Sequence, residues 1–303
     1  MARIDALSIE LLEEGKDKLA EEYGKVIENI QAITLSARLK NTDLSGDPTS
    51  GTVEAKRFVN AVGQAYGTAR GAGAGSKVKA KPVVIALNDD TEYLEEVEEK
   101  DLRTYGVGGL IERRTRNHQN QLAVELDTKF FAEAVNAGTS FTPTATDKDA
   151  ELEEAIQKVE TTKNDFVQGV PRNMIEIIAS PAYYGAVRTK INASGNSLKL
   201  VGMANYEEGV FNNTKIYSSA FLPEGTDYIV MVNGAIAQPV HTSIYNPKKV
   251  DLSDATAFGL FAYKGTKAVM EDLIIYKGTE SEPSEPDTPV TPEEPDTPEE
   301  TEL

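Results

Sequence analysis

The sequence predicts an α+β fold organised around one long helix, and three stretches lead to this prediction. Residues 107–137 contain no proline and have glycine only at their start, so one helix of about 45 Å is expected there. Residues 141–247 mix short apolar runs with helical patterns, which is typical of a compact α+β unit. Residues 31–90 hold apolar runs separated by turn residues, and they predict a long two-stranded excursion.

The composition permits a sizeable core and excludes several classes of protein. The chain has 303 residues, of which 40% are hydrophobic, and it lacks cysteine, so neither a disulfide nor thiolate chemistry is available. No apolar stretch approaches the ~18 residues of a membrane helix, and the N-terminus turns acidic at once, unlike a signal peptide. An intracellular protein without a membrane partner is therefore expected.

The negative charge is concentrated at the C-terminus. The chain carries −18, but residues 280–303 hold ten acidic residues and no basic one, which leaves −8 for residues 1–279. Neither part suits tight binding to phosphate backbones, which needs clustered lysine and arginine. Residues 279–303 also contain six prolines and a repeated EPDTP motif, which predicts a disordered tail that solubilises the chain or, alternatively, carries a binding motif.

Ahead of the long helix, the sequence predicts an arm and an extended ribbon. Residues 3–30 have a thin apolar stripe at helical spacing, which fits either a surface helix or an arm that docks on a neighbour. Alternation predicts strands at 31–40 and 79–87, and a short helix is expected at 53–66. The glycine-rich segment 67–77 is expected to be an exposed loop. Because two strands alone are barely stable in water, a neighbouring subunit is the natural support for this ribbon.

The long helix has two regimes along its length. Residues 112–121 carry no apolar side chain, whereas residues 122–135 carry apolar groups around more than half of the circumference. This pattern fits one helix whose C-terminal end is buried in a core and whose polar middle contacts other subunits. Two shorter helices with a break near Asn117 are the alternative.

An acidic segment and a basic cluster lie next to each other in this region. Residues 92–104 are acidic and are expected to be helical. Arg113, Arg114 and Arg116 follow on the long helix and are expected to pair with the acidic segment of the same or a neighbouring chain. Contact with nucleic acid is less expected, because no aromatic or further basic groups accompany the arginines.

The C-terminal half predicts alternating strands and helices. Thr146 is expected to cap one helix, and Ser180-Pro181 opens another, with serine as the N-cap and proline at the first helical position. Residues 174–179 predict a buried strand, and residues 255–276 predict a separate antiparallel hairpin around Lys264-Gly265. Further strands are expected at Leu198–Val201, Lys215–Ser218 and Tyr228–Val232, with turns at Asn212-Asn213 and Asn233-Gly234.

No stretch of the sequence predicts an active site. The two histidines, His118 and His241, are isolated and form no metal-binding pair. Gly75-Ser76-Lys77 has serine before lysine, unlike a phosphate-binding loop, and the GxSxG motif of hydrolases is absent. No catalytic residue, metal ligand or cofactor is therefore expected.

The order of parts resembles a known family. An arm, an extended two-stranded ribbon, a long helix, a compact α+β unit and a closing β-hairpin follow one another in the major capsid protein of tailed double-stranded DNA bacteriophages, the Hong Kong 97-like capsid fold. The most similar stretches are DLRTYGVGGLIERRTRNHQNQLAVELDTKFF at 101–131, VPRNMIEIIASPAYYGAVRTK at 170–190 and AFGLFAYKGTKAVMEDLIIYKG at 257–278.

The resemblance implies a domain organisation and a set of contacts between subunits. The implied parts are an N-terminal arm (1–30), an E-loop (31–90), a peripheral or P-domain (91–140 and 248–278), an axial or A-domain (141–247) and the tail (279–303). Contacts between subunits are expected at Gly71, Gly73, Gly75, Lys77, Lys79, Arg113, Arg114 and Arg116. Some relatives cross-link an E-loop lysine to a P-domain asparagine, and Lys77, Lys79 and Lys81 lie in the corresponding region, but no partner asparagine can be matched.

The function that the resemblance implies is that of a structural shell subunit, not an enzyme. The chain would assemble in the host cytoplasm, as pentamers and hexamers with E-loops over adjacent subunits, into the icosahedral head of a virion that encloses DNA without reading its sequence. At most about thirty residues precede the ribbon, so a separate scaffolding protein is expected, together with a portal protein. An encapsulin-like cargo shell and a cell-surface binding protein are the alternatives.

Overall fold

The computed structural model describes residues 34–63, 65, 77–98, 107–193, 201–202, 207–251, 253 and 255–278. The expectations for the N-terminal helix at 3–30, for Gly71, Gly73 and Gly75 and for the tail lie outside these residues. The described helices are α1 (Leu35–Leu39), α2 (Val107–Ala137), α3 (Lys148–Glu160) and α4 (Pro181–Ala193). The described strands are β1 (Thr52–Phe58), β2 (Ala80–Ala86), β3 (Asp89–Val97), β4 (Thr139–Ser140), β5 (Ile175–Ala179), β6 (Val201–Gly202), β7 (Glu207–Phe211), β8 (Thr214–Ser218), β9 (Thr226–Val232), β10 (Ile236–Ala237), β11 (Val240–Lys249), β12 (Thr256–Lys264), β13 (Lys267–Ala268) and β14 (Ile274–Gly278).

The largest layer is a seven-stranded mixed sheet in the order β4-β14-β9-β5-β8-β7-β6. Its central strand β5 is buried along its whole length and runs parallel to β8 and antiparallel to β9. Because side chains alternate along a strand, Ile177 faces α3 and α4, where it packs with Leu152 and Val187. Its neighbour Ile178 points to the opposite face and joins the cluster that holds Phe130 of α2.

A three-stranded antiparallel sheet in the order β11-β12-β3 forms the second layer. Leu260 and Phe258 of β12 point to one face and pack against Leu122 and Leu126 of α2. The long helix α2, which we call the spine, is one unbroken element of 31 residues, as predicted. It bridges the two sheets: Leu122 and Leu126 contact the three-stranded sheet, and Phe130 lies among residues of the seven-stranded sheet.

A two-stranded antiparallel ribbon, β1 and β2, lies beside these layers. Its base is covered by its own chain, since Ala55, Val83 and Ile85 are buried together with Ala237 and Val269. The expectation that this ribbon needs a neighbouring subunit for support is therefore wrong for residues 52–58 and 80–86. The body of the same chain supplies that support.

Three local predictions in the N-terminal half are wrong, each for the same reason. Residues 35–39 form a helix instead of a strand, because Leu35 and Leu39 are one helical turn apart and both pack in the spine cluster. Residues 52–58 form β1 instead of a helix, because they pair with β2. Residues 89–97 form β3 instead of an acidic helix, because they pair with β12 over nine residues. Tertiary contacts, either packing or strand pairing, override the local pattern in all three.

The C-terminal prediction of a hairpin at 255–276 is also wrong. Strand β12 pairs with β11 and β3, whereas β14 pairs with β9 and β4 in the seven-stranded sheet. The helix expected after Thr146 begins one residue later, with Asp147 as its N-cap. The predicted start of α4 is confirmed, since the Ser180 hydroxyl accepts the Tyr183 amide at 3.3 Å. Asn212 and Asn213 have positive φ angles of 45° and 70°, as the predicted turn requires.

Candidate assembly surfaces

The polar middle of the spine is fixed to β3 by charged side chains. The Arg114 guanidinium donates to both carboxylate oxygens of Glu95, with 2.6 Å between Nε and Oε2. The His118 ring is buried, stacks on Tyr93 at 5.5 Å between ring centroids, and has its Nε2 3.4 Å from the same Oε2. The middle of the spine thus rests on its own chain along one face.

These contacts shift the pKa values of Glu95 and His118. The hydrogen bond from Arg114 is the largest influence on Glu95, and it holds the pKa of that carboxyl below its ordinary value. Burial is the largest influence on His118 and lowers the pKa of the imidazole, although the adjacent Glu95 opposes this. The imidazole is therefore harder to protonate in the folded chain than in solution.

A second charged group beneath the spine surrounds a fully buried lysine. Lys264 has 0% exposure, and its ammonium donates to Glu125 at 2.8 Å and to the Thr91 hydroxyl at 2.6 Å. Glu125 also accepts the hydroxyls of Thr91 at 2.8 Å and Tyr93 at 3.0 Å. Burial alone would raise the pKa of Glu125, but the hydrogen bonds from Lys264, Thr91 and Tyr93 hold it below its ordinary value. This network joins β3, β12 and the spine into one unit.

The structure separates the three arginines that the sequence grouped. Arg114 pairs with Glu95 of its own chain, as one of the two predicted arrangements requires. Arg113 and Arg116 are exposed on the side of the spine away from β3. Val124 continues this exposed side, with 40% of its surface accessible. The outer side of the spine is thus a surface that a second molecule can reach.

The distal end of the ribbon exposes apolar and basic side chains together. Phe58 is 55% exposed, and Val62 and Val78 are both 83% exposed. Lys77 and Lys79, two of the residues expected to contact other subunits, are exposed beside them. Large exposed apolar side chains next to one another mark an interaction surface more often than a solvated one.

The outer face of β3 is acidic with an apolar centre. Asp90, Glu92 and Glu96 are exposed on this face, and Leu94 between them is 53% exposed. The neighbouring strands continue the face with aromatic rings: His241 stacks on Tyr263 at 6.3 Å between centroids, and Phe261 stacks on Tyr263 at 6.1 Å. Among the described residues, this face is therefore exposed along β3, with an apolar centre at Leu94 and acidic side chains around it.

Neither a metal site nor a membrane helix is found in the described part of the chain. Within those residues, no group of three or more histidine, aspartate or glutamate side chains is placed to hold an ion. None of the described helices is long and apolar enough to cross a membrane.

A comparison with known protein families identifies the family of this chain. A family model described as phage capsid protein matches residues 89–299, which includes β3, the spine and both sheets. The chain belongs to this phage capsid family. It is therefore a structural protein, the major subunit of a phage head shell, and not an enzyme. Its location is the capsid of the virion.

Solved capsid structures share the fold of this capsid subunit. A structure from Mycobacterium phage Che8 has a TM-score of 0.60 at 17% identity, over 80% of this chain and 90% of that chain. The capsid structure of Cyanophage P-SCSP1u has a TM-score of 0.55 at 15% identity, over 81% and 88%. A virus-like particle from Pyrococcus furiosus has a TM-score of 0.53 at 12% identity, over 86% and 98%. Among curated protein sequences, no significant match is found. The Hong Kong 97-like capsid fold expected from the sequence is confirmed.

Sequence reasoning missed most of the residues that fix this capsid subunit internally. The sequence predicts an acidic helix around Glu95 and a hairpin turn at Lys264, whereas both residues lie on strands that pack against the spine. An alternation was present in residues 89–97, because Thr91, Tyr93, Glu95 and Val97 all point toward the spine. Glu95 obscures this alternation, because an apolar side chain is expected at an inward position of a strand and Glu95 is a carboxylate.

Proposed function

We propose that this capsid subunit forms pentamers and hexamers in which the ribbon of each copy reaches an adjacent copy. In this proposal, residues 1–30 are the N-terminal arm, residues 31–90 the E-loop and residues 141–247 the A-domain. The P-domain comprises residues 91–140 and 248–278, except that β4 and β14 belong with the seven-stranded sheet. The observation that carries the proposal is the exposed combination of valines and lysines at the distal end of the ribbon.

The outer face of β3 is the surface on the adjacent copy that suits this end of the ribbon. Lys77, Lys79 and Lys81 are alternate residues of an extended chain, so their side chains recur about every 6.6 Å on one side. Asp90 and Glu92 recur with the same spacing on β3. Exposed ion pairs contribute only about 0–1 kcal/mol each, so the apolar Leu94 at the centre of this face must supply burial as well.

Each contact of this kind is weak, and a shell gains its stability by repeating it. Binding to a neighbour stabilises the bound conformation by mass action, so the closed shell supports parts that are marginal in the single chain. The outer side of the spine, with Arg113 and Arg116, is the second surface we assign to contacts between copies. Arg114 is assigned instead to the contact with Glu95 within its own subunit.

The remaining partners follow from the role of a phage head subunit. We propose that a separate scaffolding protein and a portal protein take part in assembly, which takes place in the host cytoplasm. The packaged double-stranded DNA is enclosed without sequence recognition. The charge of −8 over residues 1–279 supports this, because a strongly basic chain would hold the DNA backbone tightly.

Deletion of residues 67–75 tests the role of the ribbon. We expect the variant to remain soluble and folded, because β1 and β2 are supported by their own body, but to lose closed shells by at least tenfold. Size-exclusion chromatography with light scattering and electron microscopy measure this loss. A control variant keeps the same nine residues in shuffled order, and it should assemble like the native chain because its reach is unchanged.

Two results would count against the proposal. Normal closed shells from the deletion variant would remove the ribbon from the contacts between subunits. Particles of the native chain that enclose a cargo enzyme instead of DNA would indicate a cargo shell, and nuclease treatment followed by ultraviolet absorbance distinguishes these contents.

A further inference from the structure

The distal end of the ribbon is tied to its own body by one arginine. The Arg57 guanidinium donates from both terminal nitrogens to the two carboxylate oxygens of Asp272, with 2.9 Å between Nη2 and Oδ2. Its plane also lies over the Phe166 ring, 4.6 Å from the centroid. The Arg57 side chain is only 10% exposed. A bidentate pair that is largely shielded from water and backed by an aromatic ring is much stronger than an ordinary surface ion pair.

Backbone and amide contacts reinforce this attachment. The Asn164 side-chain amide donates to Asp272, and the Asn60 backbone amide donates to the Asp165 carbonyl at 2.9 Å. The loop that supplies these groups is itself ordered, because the Asn164 side-chain oxygen accepts the backbone amides of Phe166 and Val167, both at 2.9 Å. We call Arg57, Asn164 and Asp272 the ribbon clamp.

The clamp divides the ribbon into a fixed part and a presented part. The base of β1 and β2 is buried against the body, and the clamp holds the other end of the strands one residue before Phe58. The described residues beyond it, 59–63 and 77–79, include the highly exposed Val62 and Val78. The strands therefore have two attachments to the body, and the two most exposed valines, Val62 and Val78, lie beyond the second one.

We propose that the ribbon clamp fixes the direction in which the distal end of the ribbon is presented to a second copy of this chain. This inference rests on the proposed function, and it names Arg57 as the positioning residue for that contact. An unclamped two-stranded ribbon would sample many directions, and ordering it on binding would weaken the contact. Lys77 and Lys79, next to the exposed valines, are basic, and the outer face of β3 is acidic. Because these charges are complementary, a second copy of this chain is the fitting partner.

Arg57→Ala in the full chain tests the inference with two measurements. Hydrogen exchange on the unassembled protein reports whether β1 and β2 open more readily, and light scattering reports the rate of shell assembly. We expect at least tenfold faster exchange in β1 and β2, unchanged exchange in β5 and β9, and at least tenfold slower assembly. Arg57→Lys keeps the charge but cannot make the bidentate contact, so its effects should be intermediate.

Lys56→Ala is the matched control, because the neighbouring Lys56 is exposed on the same strand. It should leave both measurements at the native values. Unchanged exchange in Arg57→Ala would overturn the clamp, and faster exchange with native assembly would overturn its role in presenting the ribbon. A native chain that forms no particles would overturn the proposed function, and with it the part of the inference that concerns a second copy. Particles that form equally fast from the native chain and from Arg57→Ala would overturn the inference alone.

Discussion

At the scale of single residues, the contact between the spine and β3 includes a histidine whose pKa is lowered by burial. His118 lies between Tyr93 and Phe258, and its charged neighbours are Glu95 and Arg114. Burial lowers the pKa of its imidazole below the ordinary 6.5, whereas the unfolded chain keeps the ordinary value. Between these two values the unfolded chain binds a proton that the folded chain does not.

The free energy of unfolding of the unassembled chain should therefore fall as the pH is lowered through 6.5, and level off below the folded pKa. The carboxyls of Glu95 and Glu125 have lowered pKa values, so they stay charged in this range and do not contribute to the slope. Urea denaturation between about pH 7.5 and pH 5.5 measures the effect. His118→Gln should reduce this slope.

The other histidine gives the control for this measurement. His241→Gln changes an imidazole on the outer face of the three-stranded sheet and leaves the spine cluster intact. It should keep the pH dependence that we assign to His118. An undiminished slope in His118→Gln would show that the pH dependence originates elsewhere.

At the scale of elements, the base of the ribbon is held by a close approach that only glycine allows. A Cβ atom at Gly265, just after β12, would lie 2.2 Å from the Ala86 carbonyl oxygen at the end of β2. The obstructing atom belongs to the backbone, so relief requires the ribbon or the turn to move. The close packing of these two segments explains why the ribbon has a fixed base.

Gly265→Ala should destabilise the chain by about 1–3 kcal/mol, because the added methyl group overpacks this contact. Urea denaturation measures the change. Gly185→Ala in α4 is a matched control, since its Cβ would meet no atom within 4 Å. Alanine in a helix interior should stabilise by about 0.5–1 kcal/mol. Equal stabilities of Gly265→Ala and the native chain would contradict the close approach.

At the scale of the whole molecule, net charge opposes association between copies. Each chain carries −18, of which residues 280–303 contribute −10. Like charges repel over about 10 Å at 0.1 M salt and over about 3 Å at 1 M salt. We therefore expect the charge of the tail to oppose assembly at low salt.

Removal of residues 279–303 should speed assembly at ~0.05 M salt, and the difference from the native chain should nearly vanish at ~0.5 M salt, where screening is strong. Light scattering at the two salt concentrations measures this. A chain with the ten tail acids replaced by their amides keeps the length but loses the charge, and it should behave like the truncated chain. Slower assembly of the truncated chain, or a difference that persists at high salt, would indicate that the tail acts through contacts instead of charge.

The sequence predicted the elements whose signals are local and long. The spine was recognisable because its 31 residues contain no proline and have glycine only at their start. The buried strand β5 and the Ser180-Pro181 helix start were predicted for similar reasons, since an apolar run and a cap are complete within a few residues. The absence of cysteine and the acidic balance were also fixed by the sequence.

Only the tertiary structure decided the pairing of the strands and the internal contacts of the spine. A helix is expected over residues 92–104, yet nine backbone pairs to β12 make residues 89–97 a strand. Arg57 and Asp272 are 215 residues apart, and no local pattern indicates that they meet. Propensity and periodicity describe what a segment does with its neighbours along the chain, whereas pairing and buried charges depend on which distant segments the fold brings together.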